Sequence, residues 1–166
     1  MKAAITALVL FVGLSTGAAA QADFVGRILA AHNAERAALD LPPLVWSEAL
    51  AAEAAVWADR LAELGRLEHS PGYQRPGEGE NLWMGTAGAF ALEEMVGDWA
   101  EEKQFFRYGR FPDVATSGDW HVVGHYTQMI WKRTSEVGCA LASGDGWDVL
   151  VCRYSPAGNM VGERPY

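Results

Sequence analysis

Gly124-His125-Tyr126-Thr127-Gln128-Met129-Ile130-Trp131-Lys132-Arg133-Thr134 places a histidine, a run of hydrogen-bonding side chains and a large aromatic within one short segment. The spacing predicts a helix over residues 125–133, opened by Gly124. His125 then falls in the first turn, where unpaired backbone N–H groups favour polar chemistry. Met129 and Lys132 follow it at i+4 and i+7, while Tyr126 and Ile130 share a neighbouring face. Such a segment is either a packed helix with a satisfied histidine or one wall of a site.

Downstream, residues 136–141 and 147–154 read as strands joined by Ser143-Gly144-Asp145-Gly146, a strong turn signal. Cys139 lies a few residues before that turn and Cys152 a similar distance after it. An antiparallel hairpin sets the two nearly opposite each other, at bridging distance. Closing so short a loop contributes on the order of 3 kcal/mol. With no CxxC and no third ligand nearby, a metal or redox role is disfavoured.

Upstream, Asp23 is a candidate cap for a helix to about Leu39, which Leu41-Pro42-Pro43-Leu44 breaks. Ser47 is a candidate cap for a second helix ending near Gly65, with Leu50, Ala54, Trp57, Leu61 and Leu64 as its stripe. Residues 70–79 are loop, and Leu82-Trp83-Met84 is a short strand. A third helix over residues 89–104 turns Leu92, Met95, Val96 and Trp99 inward. Three residues further, the same stripe reaches Glu102. A carboxylate on a buried face is costly unless paired, so this helix borders a polar cavity. Residues 105–120 form a long aromatic loop with Phe105, Phe106, Tyr108, Phe111 and Trp120. Helices mixed with a few antiparallel strands give an α+β domain, most simply layered helix–sheet–helix.

The first residues set the compartment. Lys2, an apolar run over residues 3–14 and then Ser-Thr-Gly-Ala-Ala-Ala-Gln-Ala form the three regions of a secretory signal peptide. Cleavage after Ala20 or after Ala22 satisfies the small-residue rule, and Ala22 is favoured, which leaves residues 23–166 as one domain. The apolar run is too short to span a bilayer comfortably, and no later stretch is long enough. The expected location is secreted, extracellular or, in a bacterium, periplasmic. The chain carries 13 Lys and Arg against 21 Asp and Glu, a net charge of −8. That balance offers no cationic footprint for nucleic acid and argues against an anionic membrane as the default partner.

His69 follows the second helix in Leu-Glu-His-Ser-Pro, and Glu80 lies eleven residues on in Gly79-Glu80-Asn81-Leu82-Trp83. Each alone reads as a solvated loop residue. Converging with Glu102 and His125, they would suit Zn²⁺ or a hydrogen-bonded polar cluster around water. No H-x₃-H or HExxH pattern fixes two ligands on one helix face, so spacing alone leaves convergence open.

The segment Gly124 to Thr134 resembles the signature of the CAP superfamily: cysteine-rich secretory proteins, antigen 5 and plant pathogenesis-related proteins, sharing the SCP domain. His32-Asn33-Ala34-Glu35-Arg36, the Gly79 to Trp83 segment and Val149-Leu150-Val151-Cys152-Arg153-Tyr154-Ser155-Pro156-Ala157-Gly158-Asn159 resemble its other motifs, in order. The resemblance implies a three-layer α-β-α sandwich whose central cavity is lined by His69, Glu80, Glu102 and His125. It implies that His32 and Arg36 brace the fold, while His121 has no motif counterpart. Residues 156–166 resemble a segment that some plant relatives release as a signalling peptide.

Three functions follow. The first is a secreted non-catalytic binding module, with a His/Glu cavity holding Zn²⁺ or Mg²⁺ weakly and an aromatic loop suited to a sterol or fatty acid. The second is a metal-dependent hydrolase using the cavity, although no nucleophile can be assigned. The third is an extracellular interaction or defence-type protein with a vestigial cavity.

Overall fold

The computed structural model describes residues 13–166, with side chains from Gly17. Lys2 and most of the apolar run read as a signal peptide lie outside the described residues. A four-stranded sheet forms the middle layer, ordered β1-β3-β4-β2, from β1 (Val45–Trp46), β2 (Gly79–Thr86), β3 (Glu136–Gly144) and β4 (Trp147–Ser155). β1 runs parallel to β3, and the other pairings are antiparallel. Helix α2 (Glu48–Leu64) covers one face of the sheet. Helices α1 (Gly13–Ala37), α3 (Leu92–Glu101) and α4 (Gly124–Met129) pack together against the other.

The central strand β4 shows why two helical layers are needed. Val149 and Val151 join Ala54, Ala58 and Leu61 in one core. The alternate residues Leu150, Cys152 and Tyr154 join Ile28, Met95, Trp99 and Met129 in the other. A strand buried on both faces reads as a continuous apolar run. Gly138 lets α2 sit directly on β3, because a Cβ there would lie 2.2 Å from the Ala51 nitrogen. Among the described residues no helix is long and apolar enough to cross a membrane.

The hairpin forms as expected. Asp145 (φ 50) and Gly146 (φ 84) make its two-residue turn, and the chirality that suits this turn favours Asp-Gly. Cys139 and Cys152 are cross-strand partners joined as a disulfide, with Cα atoms 4.1 Å apart. α2 follows Ser47 and ends at Gly65 (φ 61), whose N–H returns to the Leu61 carbonyl. Ser47 occupies the cap position but makes no side-chain cap bond.

Several boundaries differ from the sequence reading. Asp23 lies within α1, so it does not cap that helix, and both candidate cleavage points lie on it. The strand read as Leu82 to Met84 spans Gly79–Thr86, because its whole length pairs with β4. α3 gives way at Glu102 to a tighter 3₁₀ turn, Glu102–Phe105. α4 stops at Met129, shorter than expected.

Candidate functional site

His69 sits on the connection leaving α2, Glu80 on β2, Glu102 just past α3 and His125 in the first turn of α4. They form two pairs of one design. The Nδ1–H of His69 donates to Glu80 Oε1 at 2.7 Å, and that of His125 donates to Glu102 Oε1 at 2.6 Å. A carboxylate on Nδ1 fixes the ring and the tautomer, leaving Nε2 as the atom with a free lone pair.

The Glu80 side chain has no solvent exposure. Oε1 also accepts the Ser70 backbone N–H and Oε2 the Ser70 hydroxyl. Arg153, itself buried, brings Nε to 2.9 Å from Oε2 but off the line of a hydrogen bond, so that contact is ionic. Its other nitrogens donate to Ser70 Oγ and Glu78. Burial alone would raise the Glu80 carboxyl. The bonds from His69 and Ser70, with the Arg153 charge, outweigh it and hold the group below its usual range. Glu78 is pushed up by burial and by the neighbouring Glu53.

Glu102 works differently. Its Oε2 accepts the backbone N–H groups of His125 and Tyr126, each at 3.0 Å, so it satisfies the start of α4 while holding the imidazole. The His125 ring stacks on Trp99, with centroids 5.9 Å apart. At the other end of α4, fully buried Arg36 donates to the carbonyls of Met129, Trp131 and Thr134.

His69, Glu80 and His125 line one cavity of about 530 Å³, whereas Glu102 stands behind His125. Sequence reasoning missed two further contributors. Arg153 underlies Glu80, and its only signal was a charged residue in a mostly apolar strand. Asn81 donates to the His125 carbonyl and to Tyr154 Oη, and Tyr154 in turn meets His32 Nε2 at 2.9 Å. Since His32 Nδ1 donates to the Ile28 carbonyl, Tyr154 is the donor to Nε2. Burial pushes His32 down to about 4 and Tyr154 well above the ordinary tyrosine range.

The five loop aromatics divide between two places. Phe111 and Trp120 reach the cavity wall, their rings 5.0 Å apart. Phe106 packs on Tyr126 and Tyr166, Tyr108 leans on Tyr166, and Phe105 stays half exposed. His121 is exposed, as its lack of a motif counterpart suggested, yet it stacks on Trp120 at the cavity rim. Among the described residues no three His, Cys, Asp or Glu side chains converge as a metal-binding group.

The family model of the cysteine-rich secretory protein family, CAP, matches residues 29–154. The chain belongs to the CAP family. It is similar to the pathogenesis-related protein PR-1 of Medicago truncatula, 38% identical over 146 residues that cover 87% of this chain and 80% of that protein. It is also similar to pathogenesis-related protein 1B of Nicotiana tabacum, at 35% over 163 residues, covering 98% and 92%. Among solved structures, NaASP2 crystallised with Zn²⁺ superposes with a TM-score of 0.73 at 25% identity, covering 85% of this chain and 83% of that one. The layered architecture described above is thus the α+β fold of CAP proteins.

Proposed function

We propose that this CAP chain is an exported, non-catalytic binding module whose cavity holds a divalent cation weakly through His69 and His125. The observation that carries the proposal is the paired arrangement in one cavity. Each imidazole gives Nδ1–H to a carboxylate and keeps Nε2 for a ligand. Two nitrogen donors fit Zn²⁺ better than Mg²⁺, and with water completing the shell they imply modest affinity. When bound, the ion would supply Lewis acidity to a coordinated oxygen. The crystallisation of the structural relative NaASP2 with Zn²⁺ supports the same reading.

Both carboxylates are already engaged, which favours binding over hydrolysis. Glu80 is buried under bonds from His69 and Ser70, and Glu102 accepts three N–H groups. Neither is free to act as a general base toward a cavity water. An enclosed sterol or fatty-acid site is the less favoured use of the loop, since Phe106 and Phe111 are spent on internal packing.

Calorimetric titration with Zn²⁺ tests the proposal. A single-site isotherm is expected at neutral pH, weakened at least tenfold in His69→Ala and in His125→Ala. It should weaken as the pH falls, because protons compete with the metal for the imidazole nitrogens. No heat at neutral pH, or unchanged affinity in both variants, would overturn it.

A further inference from the structure

Just beyond the cavity wall formed by Gly158 and Asn159, the segment after β4 makes a tight turn at Met160-Val161-Gly162-Glu163. The Glu163 N–H returns to the Met160 carbonyl at 3.0 Å, with Gly162 at φ 84. Its tip is apolar where a surface turn is usually polar: Val161 is 80% exposed and Met160 47%. The tip is also held firmly. Phe111, buried beneath it, bonds Gly162 and Glu163 through its own backbone, both at 2.8 Å.

Cations surround this tip. Arg110 donates to the Gly162 carbonyl, and Arg133 pairs with Glu163. The Lys132 backbone N–H bonds the Pro165 carbonyl, and the Arg164 guanidinium lies 5.3 Å over the Tyr108 ring. Arg107, paired with Asp113, continues the surface, and all five side chains are exposed. Residues 105–114, 130–134 and 160–166 hold five cations and two acids (Asp113, Glu163), a formal side-chain charge of +3 in a chain of −8. The remainder therefore carries −11. The acidic balance of the whole chain conceals a basic end.

We propose that this end docks on an anionic phospholipid bilayer, with Val161 and Met160 entering the interface and the five cations meeting lipid phosphates. A soluble polyanion would use the cations but has no use for a rigid apolar tip. Screening confines the field of the distant acids, with a range of about 10 Å at 0.1 M salt, so the local patch governs contact. The contrast between +3 at this end and −11 over the remainder would favour tip-first approach. Tyr108 beside Arg164 has the amphipathic character suited to the headgroup level. The proposal stands independently of the metal cavity.

Sedimentation with vesicles tests it, using phosphatidylcholine alone or mixed in equal parts with phosphatidylglycerol. The intact protein should partition to the mixed vesicles and release at high salt. Lys132→Glu with Arg164→Glu should reduce binding by at least tenfold, given about fivefold per cation near such a surface. Val161→Asp should also weaken binding severalfold, whereas Arg60→Glu on α2 should not. Absence of partitioning, equal binding to both vesicle types, or insensitivity to Val161→Asp would overturn the proposal. The last outcome, accompanied by tight binding to dextran sulfate, would assign the basic end to a polysaccharide instead.

Discussion

Glu102 holds His125 twice: one carboxylate oxygen takes the imidazole Nδ1–H at 2.6 Å and the other takes the residue's own backbone N–H at 3.0 Å. Ring orientation and helix initiation are therefore one interaction. Glu102→Ala should cost about 2 kcal/mol by leaving two helix-start donors unpaired. It should also free the ring to change tautomer. Urea denaturation gives the first quantity and the ¹⁵N shifts of His125 the second. An unchanged tautomer would show that Trp99 stacking alone orients the ring.

Glu80 and Arg153 form a buried ion pair whose loss is asymmetric. Glu80→Gln preserves size but removes the charge beneath Arg153, a residue only 2% exposed. Breaking one partner of such a pair costs roughly 3–5 kcal/mol. Glu80→Gln should therefore destabilise more than Glu102→Ala. Denaturation midpoints measured side by side decide the order.

Stability should fall between pH 6.5 and about 4 because of His32. The unfolded chain takes up a proton below 6.5, while burial holds the folded imidazole neutral until about 4. Its contribution is fully present above 6.5 and is lost as the pH drops through that window, at most about 3 kcal/mol in all. Glu80, held below its ordinary value of 4.5, begins to lose its contribution only below about 4.5, at the acid end of this window and beyond. Urea titrations from neutral pH to pH ~4 should show a shallower decline for His32→Gln, which cannot protonate.

Tyr154→Phe removes a single oxygen yet strands two partners, the Nε2 of His32 and one donor of Asn81. The expected loss is about 2 kcal/mol, as for buried groups left without partners. Adding His32→Phe should give back part of that loss, because the double variant has only Asn81 to satisfy. A double-mutant cycle measures this coupling.

Processing should restore a role to Asp23. If export removes residues 1–22, Asp23 becomes the first residue of α1, where an acidic side chain complements the helix dipole. N-terminal sequencing of the exported protein should begin at Asp23. Asp23→Ala should then cost about 0.5–1 kcal/mol in the processed form and less in the full-length chain, where only its exposed i,i+4 pairing with Arg27 is lost.

The layers and most elements were legible because their periodicities were strong: the α2 stripe from Leu50 to Leu61 and the Asp145-Gly146 turn needed no tertiary information, although Leu64, read as the end of that stripe, is exposed because the helix stops there. Glu102 was legible for the same reason, as the next position on the stripe of Met95 and Trp99. β1 was not, since two residues carry no period and Val45 and Trp46 pair only because β3 lies alongside. The early end of α4 was hidden because Arg36, more than 90 residues distant, supplies the bonds that close it. Arg153 beneath Glu80 and the cations gathered round Val161 are likewise products of folding: both depend on segments far apart in the chain.

The six residues of α4 are fastened at one end by Glu102 and at the other by Arg36. A helix so short does not persist alone in water. The segment that reads most clearly as a signature is therefore not a transferable module. Excised as a peptide or grafted onto another scaffold, it would arrive without the acid and the base that give it shape.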